Sequence, residues 1–159
     1  MNFKASLDNT ARAVTGAITV LFLSIIFVPL LNHDDGGFHI VISLFLFIVY
    51  GISYGLHPAG YIIENEKLIV KRPALNVVIL RDMIVSAQLP EPKTVTRALR
   101  TFGVGGLFGY YGQFYNSMFN TMTWYLTRTD RVVLLTLSDG KKIVISPDEP
   151  EAFIEALLV

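Results

Sequence analysis

Four groups of side chains in this 159-residue chain have types that do chemistry. The histidines are His33, His39 and His57, all in the first part of the chain. A Ser-His-Asp set or a His-based metal site would need one among the later polar residues, and none lies there. The carboxylates Asp130, Asp139, Asp148 and Glu149 fall where turns and a helix cap are expected, and such residues serve structure in those places. Lys67, Lys71 and Arg72 form a small basic cluster, but Glu64 and Glu66 dilute its field. The fourth group is "LRTFGVGGLFGYYGQFYNSMFN", residues 99–120, with five of the chain's twelve glycines and seven of its eighteen Phe and Tyr residues. A dinucleotide loop needs G-x-G-x-x-G between a strand and a helix. Gly103, Gly105, Gly106, Gly109 and Gly112 miss that spacing, and no GK[ST] follows. The chain has no cysteine, which excludes disulfides, thiol catalysis and Cys-based metal sites. No catalytic residue, cofactor or metal is expected.

Net charge is zero, so nothing global favours nucleic acid. Charged residues make up 16% of the chain, against about 25% in ordinary soluble domains. The deficit is concentrated between Ala13 and Leu56. "AVTGAITVLFLSIIFVPLL" (13–31) and "FHIVISLFLFIVYGISYGL" (38–56) hold no Asp, Glu, Lys or Arg and are nineteen residues each. A helix of that length covers about 28 Å, close to the roughly 30 Å hydrocarbon core of a bilayer. The pattern predicts a two-helix transmembrane hairpin that serves as an anchor. Without charged lining it makes no transport path. Lys4 and Arg12 precede the first run, Lys67, Lys71 and Arg72 follow the second, and the connecting "NHDDGG" is acidic. The positive-inside rule then puts both termini on the cytoplasmic side, with the short acidic loop facing out. His39 and His57 fall at the span ends, where a histidine is simply solvated.

The expected division is residues 1–57 for the hairpin and 58–159 for a cytoplasmic domain. Short β-rich runs recur there at 61–64, 67–72, 76–80, 83–89, 121–128, 131–137 and 141–146, seven strands in all. Asp139-Gly140 between two apolar runs marks a tight hairpin turn. Residues 149–158 read as a helix, with Asp148 as its cap, Pro150 in the first turn, and Phe153–Leu157 and Ile154–Leu158 as an i, i+4 stripe. A purely antiparallel set of strands closed by one amphipathic helix is expected to fold without the hairpin.

The glycine-aromatic stretch then becomes a long connection between the fourth and fifth of these strands. A third span there would leave two open half-sheets on opposite sides of the membrane. Val104, Leu107, Phe108, Tyr111, Phe114, Tyr115 and Met118 share one face at helical spacing, although the glycines opposite cost about 1 kcal/mol each in a helix. Two readings follow: this face covers the sheet as extra core, or its rings sit at the lipid headgroups. On the second, Arg97 and Arg100 meet anionic lipid, and Phe102, Leu107, Phe108, Tyr110, Tyr111, Phe114 and Tyr115 supply the contact with membrane or partner.

Seven strands and a capping helix, together with "YIIENEKLIVKR", "RTFGVGGLFGYYGQFYN" and "GKKIVISPDEPEAFIEAL", resemble a family of small bacterial membrane proteins with a pleckstrin-homology-like (PH-like) domain. The resemblance covers roughly residues 58–158 and implies a fold and a topology. It implies no single activity, since PH-like domains host many binding tasks. It also implies a groove between the fifth strand and the last helix that accepts an extended peptide, with Thr123 and Tyr125 on one side and Phe153 and Leu157 on the other. The alternative is that the glycine-aromatic residues themselves cover that edge. The functional expectation is a non-enzymatic, membrane-anchored interaction module that binds a protein, itself or lipid headgroups. Its rivals are a structural homo-oligomer and an enzyme acting on lipid. The latter needs a polar cluster beside the membrane, and the sequence offers none.

Overall fold

The computed structural model describes residues 1–31 and 37–158. Of the acidic connection expected at 32–37, residues 32–36 lie outside them. Two apolar helices come first, α1 (Asn9–Leu31) and α2 (Gly37–Leu56), of 23 and 20 residues. Asp8 starts α1, accepting the Ala11 amide on its carboxylate at 2.7 Å, the bond expected of an N-cap. The two helices touch through a hydroxyl pair, Thr19 with Tyr50 at 2.7 Å, and through the rings of Phe22 and Tyr50. Much of the first half of α2 faces outward: Ile40, Val41, Leu44, Phe45, Phe47 and Ile48 are all exposed. Both helices are long and apolar enough to cross a membrane, and little of either is buried within the protein.

Among the described residues, the β portion has ten strands in two sheets. The first has the order β1-β2-β3-β4, built from β1 (Asn2–Lys4), β2 (Gly60–Glu64), β3 (Lys67–Lys71) and β4 (Val77–Leu80). A short 3-10 turn (Arg81–Met83) leads to the second sheet, ordered β5-β9-β10-β8-β7-β6. Its strands are β5 (Ile84–Gln88), β6 (Leu99–Gly106), β7 (Gly109–Asn116), β8 (Asn120–Leu126), β9 (Val133–Leu137) and β10 (Lys142–Ile145), with α3 (Pro92–Thr96) between β5 and β6. The chain ends in α4 (Pro150–Leu158). The class is the expected one: two apolar helices, then a mainly-β domain with a C-terminal helix.

All seven expected strands are present, and three more join them. Two come from residues 99–120, which form a β-hairpin rather than a helical connection. Gly103 faces Gly112 and Gly106 faces Gly109 across the pair. The third is β1, which pairs antiparallel with β2 from Asn2↔Ile62 to Lys4↔Gly60. One pair is parallel, β8 with β10, whereas a wholly antiparallel arrangement was expected.

The larger sheet is apolar on both faces, which explains why β9 reads as a continuous run: Leu134 and Leu135 point to opposite sides and both are buried. One face packs Val133, Leu135, Ile143 and Ile145 against Tyr61, Leu68 and Val70 of the smaller sheet and against Phe153 and Leu157 of α4. The other gathers Met122, Trp124, Leu126 and Val144 with Phe114 and with Val95 of α3. The Tyr61 hydroxyl ties the sheets together, donating to the Tyr125 carbonyl (2.6 Å) and accepting the Ser146 amide (2.9 Å). Burial pushes that phenol up to about 12, so it remains a donor. Arg81 closes the far end of α4 with a bond to the Leu157 carbonyl.

Candidate functional site

The glycine-aromatic hairpin divides into two regions. Its tip, Leu107-Phe108, docks on the helices. Phe108 has φ 57, uncommon for a bulky residue. Its amide donates to the Thr15 hydroxyl of α1 at 2.8 Å, and its ring lies 5.1 to 5.6 Å from the rings of Tyr50, Tyr54 and His57. The Tyr111 hydroxyl donates to the Ser53 carbonyl of α2 at 2.6 Å. Tyr110 reaches Asp8 at 3.3 Å, and burial together with the Asp8 carboxylate raises its pKa to about 12. Asp8 also accepts the amide and hydroxyl of Thr129, at 3.2 and 3.3 Å. One carboxylate thus caps α1 and binds both the β7 aromatic and the loop after β8. Leu107 and Tyr111 are buried here, so neither is a free contact surface.

The other end of the hairpin is open. β6 is the last strand of its sheet, so among the described residues one row of its main-chain groups has no neighbouring strand. Leu99 and Phe102 stand out from it, 72% and 77% exposed, with Tyr115 of β7 and Met118 of the following turn beside them. Arg97 and Arg100 are exposed at the same end, and the Arg100 guanidinium lies along the strand next to Gly105. A bulge between Arg100 and Phe102 breaks the register with β7. Phe114, expected to belong to this surface, instead stacks on Trp124 at 3.8 Å inside the second core. Of the nine expected contact residues, Arg97, Arg100, Phe102 and Tyr115 are exposed. Leu107, Phe108, Tyr110, Tyr111 and Phe114 hold the hairpin in place.

A family model described as "Bacterial PH domain" matches residues 59–159, more than half of the chain. The chain belongs to that family. No curated protein and no solved structure matches it.

The peptide groove expected in this PH domain is not formed. β8, which carries Thr123 and Tyr125, is an interior strand, paired with β7 on one side and β10 on the other. Its main-chain groups are taken, because the glycine-aromatic residues cover the edge themselves. Phe153 and Leu157 are core residues, with the Phe153 ring 5.1 Å from Phe3 and 6.0 Å from Tyr61. Of the basic residues at the first hairpin of the PH domain, Lys67 and Lys71 are exposed at the two ends of β3. Arg72 is committed to its own loop, donating from Nε to the Leu75 carbonyl at 2.7 Å, with its guanidinium 5.7 Å from the centre of the Tyr125 ring.

Asp148 does a different task from the cap assigned to it. Its carboxylate takes the Ser6 amide (3.0 Å), the Ser6 hydroxyl (2.6 Å) and Arg128 (3.3 Å), which fastens the segment after β1 to the domain. Partial burial works against ionisation, but the bonds from Ser6 and Arg128 prevail and hold the carboxyl below its ordinary value. Asp130 pairs with Arg128 at 2.7 Å, and Asp139 accepts the Lys141 amide in the hairpin turn. The residues that sequence reasoning missed are Asp8, Thr15 and Ser53. Only Asp8 carries a local signal, an aspartate immediately before a helical run. Thr15 and Ser53 acquire their partners only through the tertiary fold.

Proposed function

We propose that this chain is a non-enzymatic interaction module, held at the cytoplasmic face of a bacterial inner membrane by α1 and α2, whose PH domain binds a protein segment along the outer edge of β6. The observation that carries the reading is that edge: an eight-residue strand, paired on one side only, with Leu99 and Phe102 turned outward. An extended segment laid there gains main-chain bonds, and the two apolar side chains select its sequence. Such an edge is normally blunted by charge or proline, and β6 carries one arginine and no proline. The bonds from Asp8, Thr15 and Ser53 hold the domain directly on the helices, so the edge is presented at a fixed attitude to the membrane.

The orientation rests on Lys4 and Arg12 before α1 and Lys67, Lys71 and Arg72 after α2. A reporter active only in the cytoplasm, fused after Val159, is expected to be active. Activity of a periplasm-only reporter at that junction would reverse the topology.

The edge itself is tested with a photocrosslinking phenylalanine analogue at Phe102 of the full chain in its native membrane, with the same analogue at Val85 on β5, the opposite edge, as comparison. A discrete protein adduct from Phe102 and none from Val85 is the expected result. An adduct of two copies of this chain would establish self-association at the edge. Lipid adducts alone, or equal adducts from both positions, would refute a protein site on β6.

A further inference from the structure

A second surface of the PH domain meets the helices, at the turn between β3 and β4. The Ala74 amide donates to the Gly55 carbonyl of α2 at 2.9 Å, and a Cβ on Gly55 would lie 3.1 Å from that of Ala74. Gly55 is the residue before the end of the apolar stretch His39–Leu56. At about 1.5 Å rise per residue, the turn therefore lies at the level where that stretch ends.

Two bonds fix the shape of the turn. The Arg72 amide donates to Asn76 Oδ1 at 3.0 Å, and Arg72 Nε donates to the Leu75 carbonyl at 2.7 Å. Pro73, Ala74 and Leu75 are exposed, Leu75 by 67%. Part of the main chain of this apolar tip needs no bond from water. Pro73 has no N–H, and the Ala74 N–H and the Leu75 carbonyl already have partners. Lys71 and Arg72 precede the tip, and no Asp or Glu occurs between Lys67 and Leu80.

We propose that the β3–β4 turn is a membrane-interface wedge, in which Leu75 enters the boundary between headgroups and acyl chains and Lys71 meets anionic headgroups. The inference rests on the reading of α2 as a membrane span. It differs in place from the glycine-aromatic hairpin, whose tip is occupied by the helices themselves. An apolar side chain inserted at the interface beside basic residues combines area burial with attraction to anionic lipid. The wedge gives the domain a second point of attachment, beside the end of α2.

Because the chain has no cysteine, a single introduced one is labelled uniquely. The full chain carrying Leu75→Cys, Leu80→Cys or Phe45→Cys is spin-labelled and reconstituted in vesicles of phosphatidylethanolamine and phosphatidylglycerol. Leu80 is exposed at the other end of β4, beside the β2–β3 turn, and Phe45 is exposed in the middle of α2. Broadening by a water-soluble nickel chelate should be lost at Leu75 and Phe45 and retained at Leu80, whereas oxygen should broaden the first two. If Phe45 is protected and Leu75 is as open to nickel as Leu80, the wedge is overturned and the anchor stands. If Phe45 is open to nickel, the anchor reading fails and takes the wedge with it.

Discussion

Replacing Gly112 by alanine is expected to destabilise the protein by about 4 kcal/mol, combining the strain of a Cβ on a positive-φ backbone with overpacking against main chain. Gly112 has φ 122, and a Cβ there would lie 2.3 Å from the Phe102 carbonyl oxygen and 2.7 Å from the Cα of Gly103. Both obstacles are backbone of the neighbouring strand, so no side chain can swing away to make room. Gly103, its partner in the register, has φ 114 and the same kind of collision with Tyr111. Gly51→Ala is the comparison: it sits in α2 with nothing within 4 Å of an added Cβ, and should stay within about 1 kcal/mol of the parent. Thermal unfolding in detergent reads both variants. Equal stability of the two would mean that residues 99–116 are not paired as this hairpin, and the exposed edge of β6 would go with it.

The second large effect concerns β1. Residues 58–159 produced alone should unfold at a lower temperature than the same fragment with residues 1–7 joined ahead of it through a short Gly-Ser linker. The expected difference is about 2 kcal/mol, from burial of one aromatic ring and three residues of strand pairing. The linkage is short because Lys4 lies opposite Gly60, so the end of β1 meets the start of β2. Phe3 packs edge-on against Phe153, which is fully buried, and Ser6 holds Asp148. Without β1 the ring of Phe153 loses that cover and the edge of β2 opens to other chains, so the bare fragment should also aggregate more readily. Equal melting of the two fragments would establish residues 58–159 as the self-sufficient unit expected from the sequence.

Local pattern alone placed the two apolar helices, seven strands, the Asp139-Gly140 turn and the final helix. Each of these depends on neighbours a few residues away: an uninterrupted apolar run, alternation along a strand, a turn residue that adopts positive φ, a stripe at i, i+4. The hairpin at 99–116 escaped that reading because its apolar residues fit helical spacing as well as strand spacing. What chooses the strand is the meeting of Gly103 with Gly112 and of Gly106 with Gly109, each pair close only once the chain has folded back. The same limit applies to the candidate site. Phe102 and Phe114 are both phenylalanines in one aromatic stretch, yet one stands in solvent and the other stacks on Trp124. β1 is three residues long, too short for any period, and exists because β2 offers it an edge. The carboxylate of Asp148, beside a helix that it was expected to cap, goes instead to Ser6, 142 positions away along the chain. Spacing in the sequence decides the elements that local pattern placed. Which strand lies beside which, and which side chains remain exposed, depends on partners far apart in the chain, so only the tertiary fold could settle them.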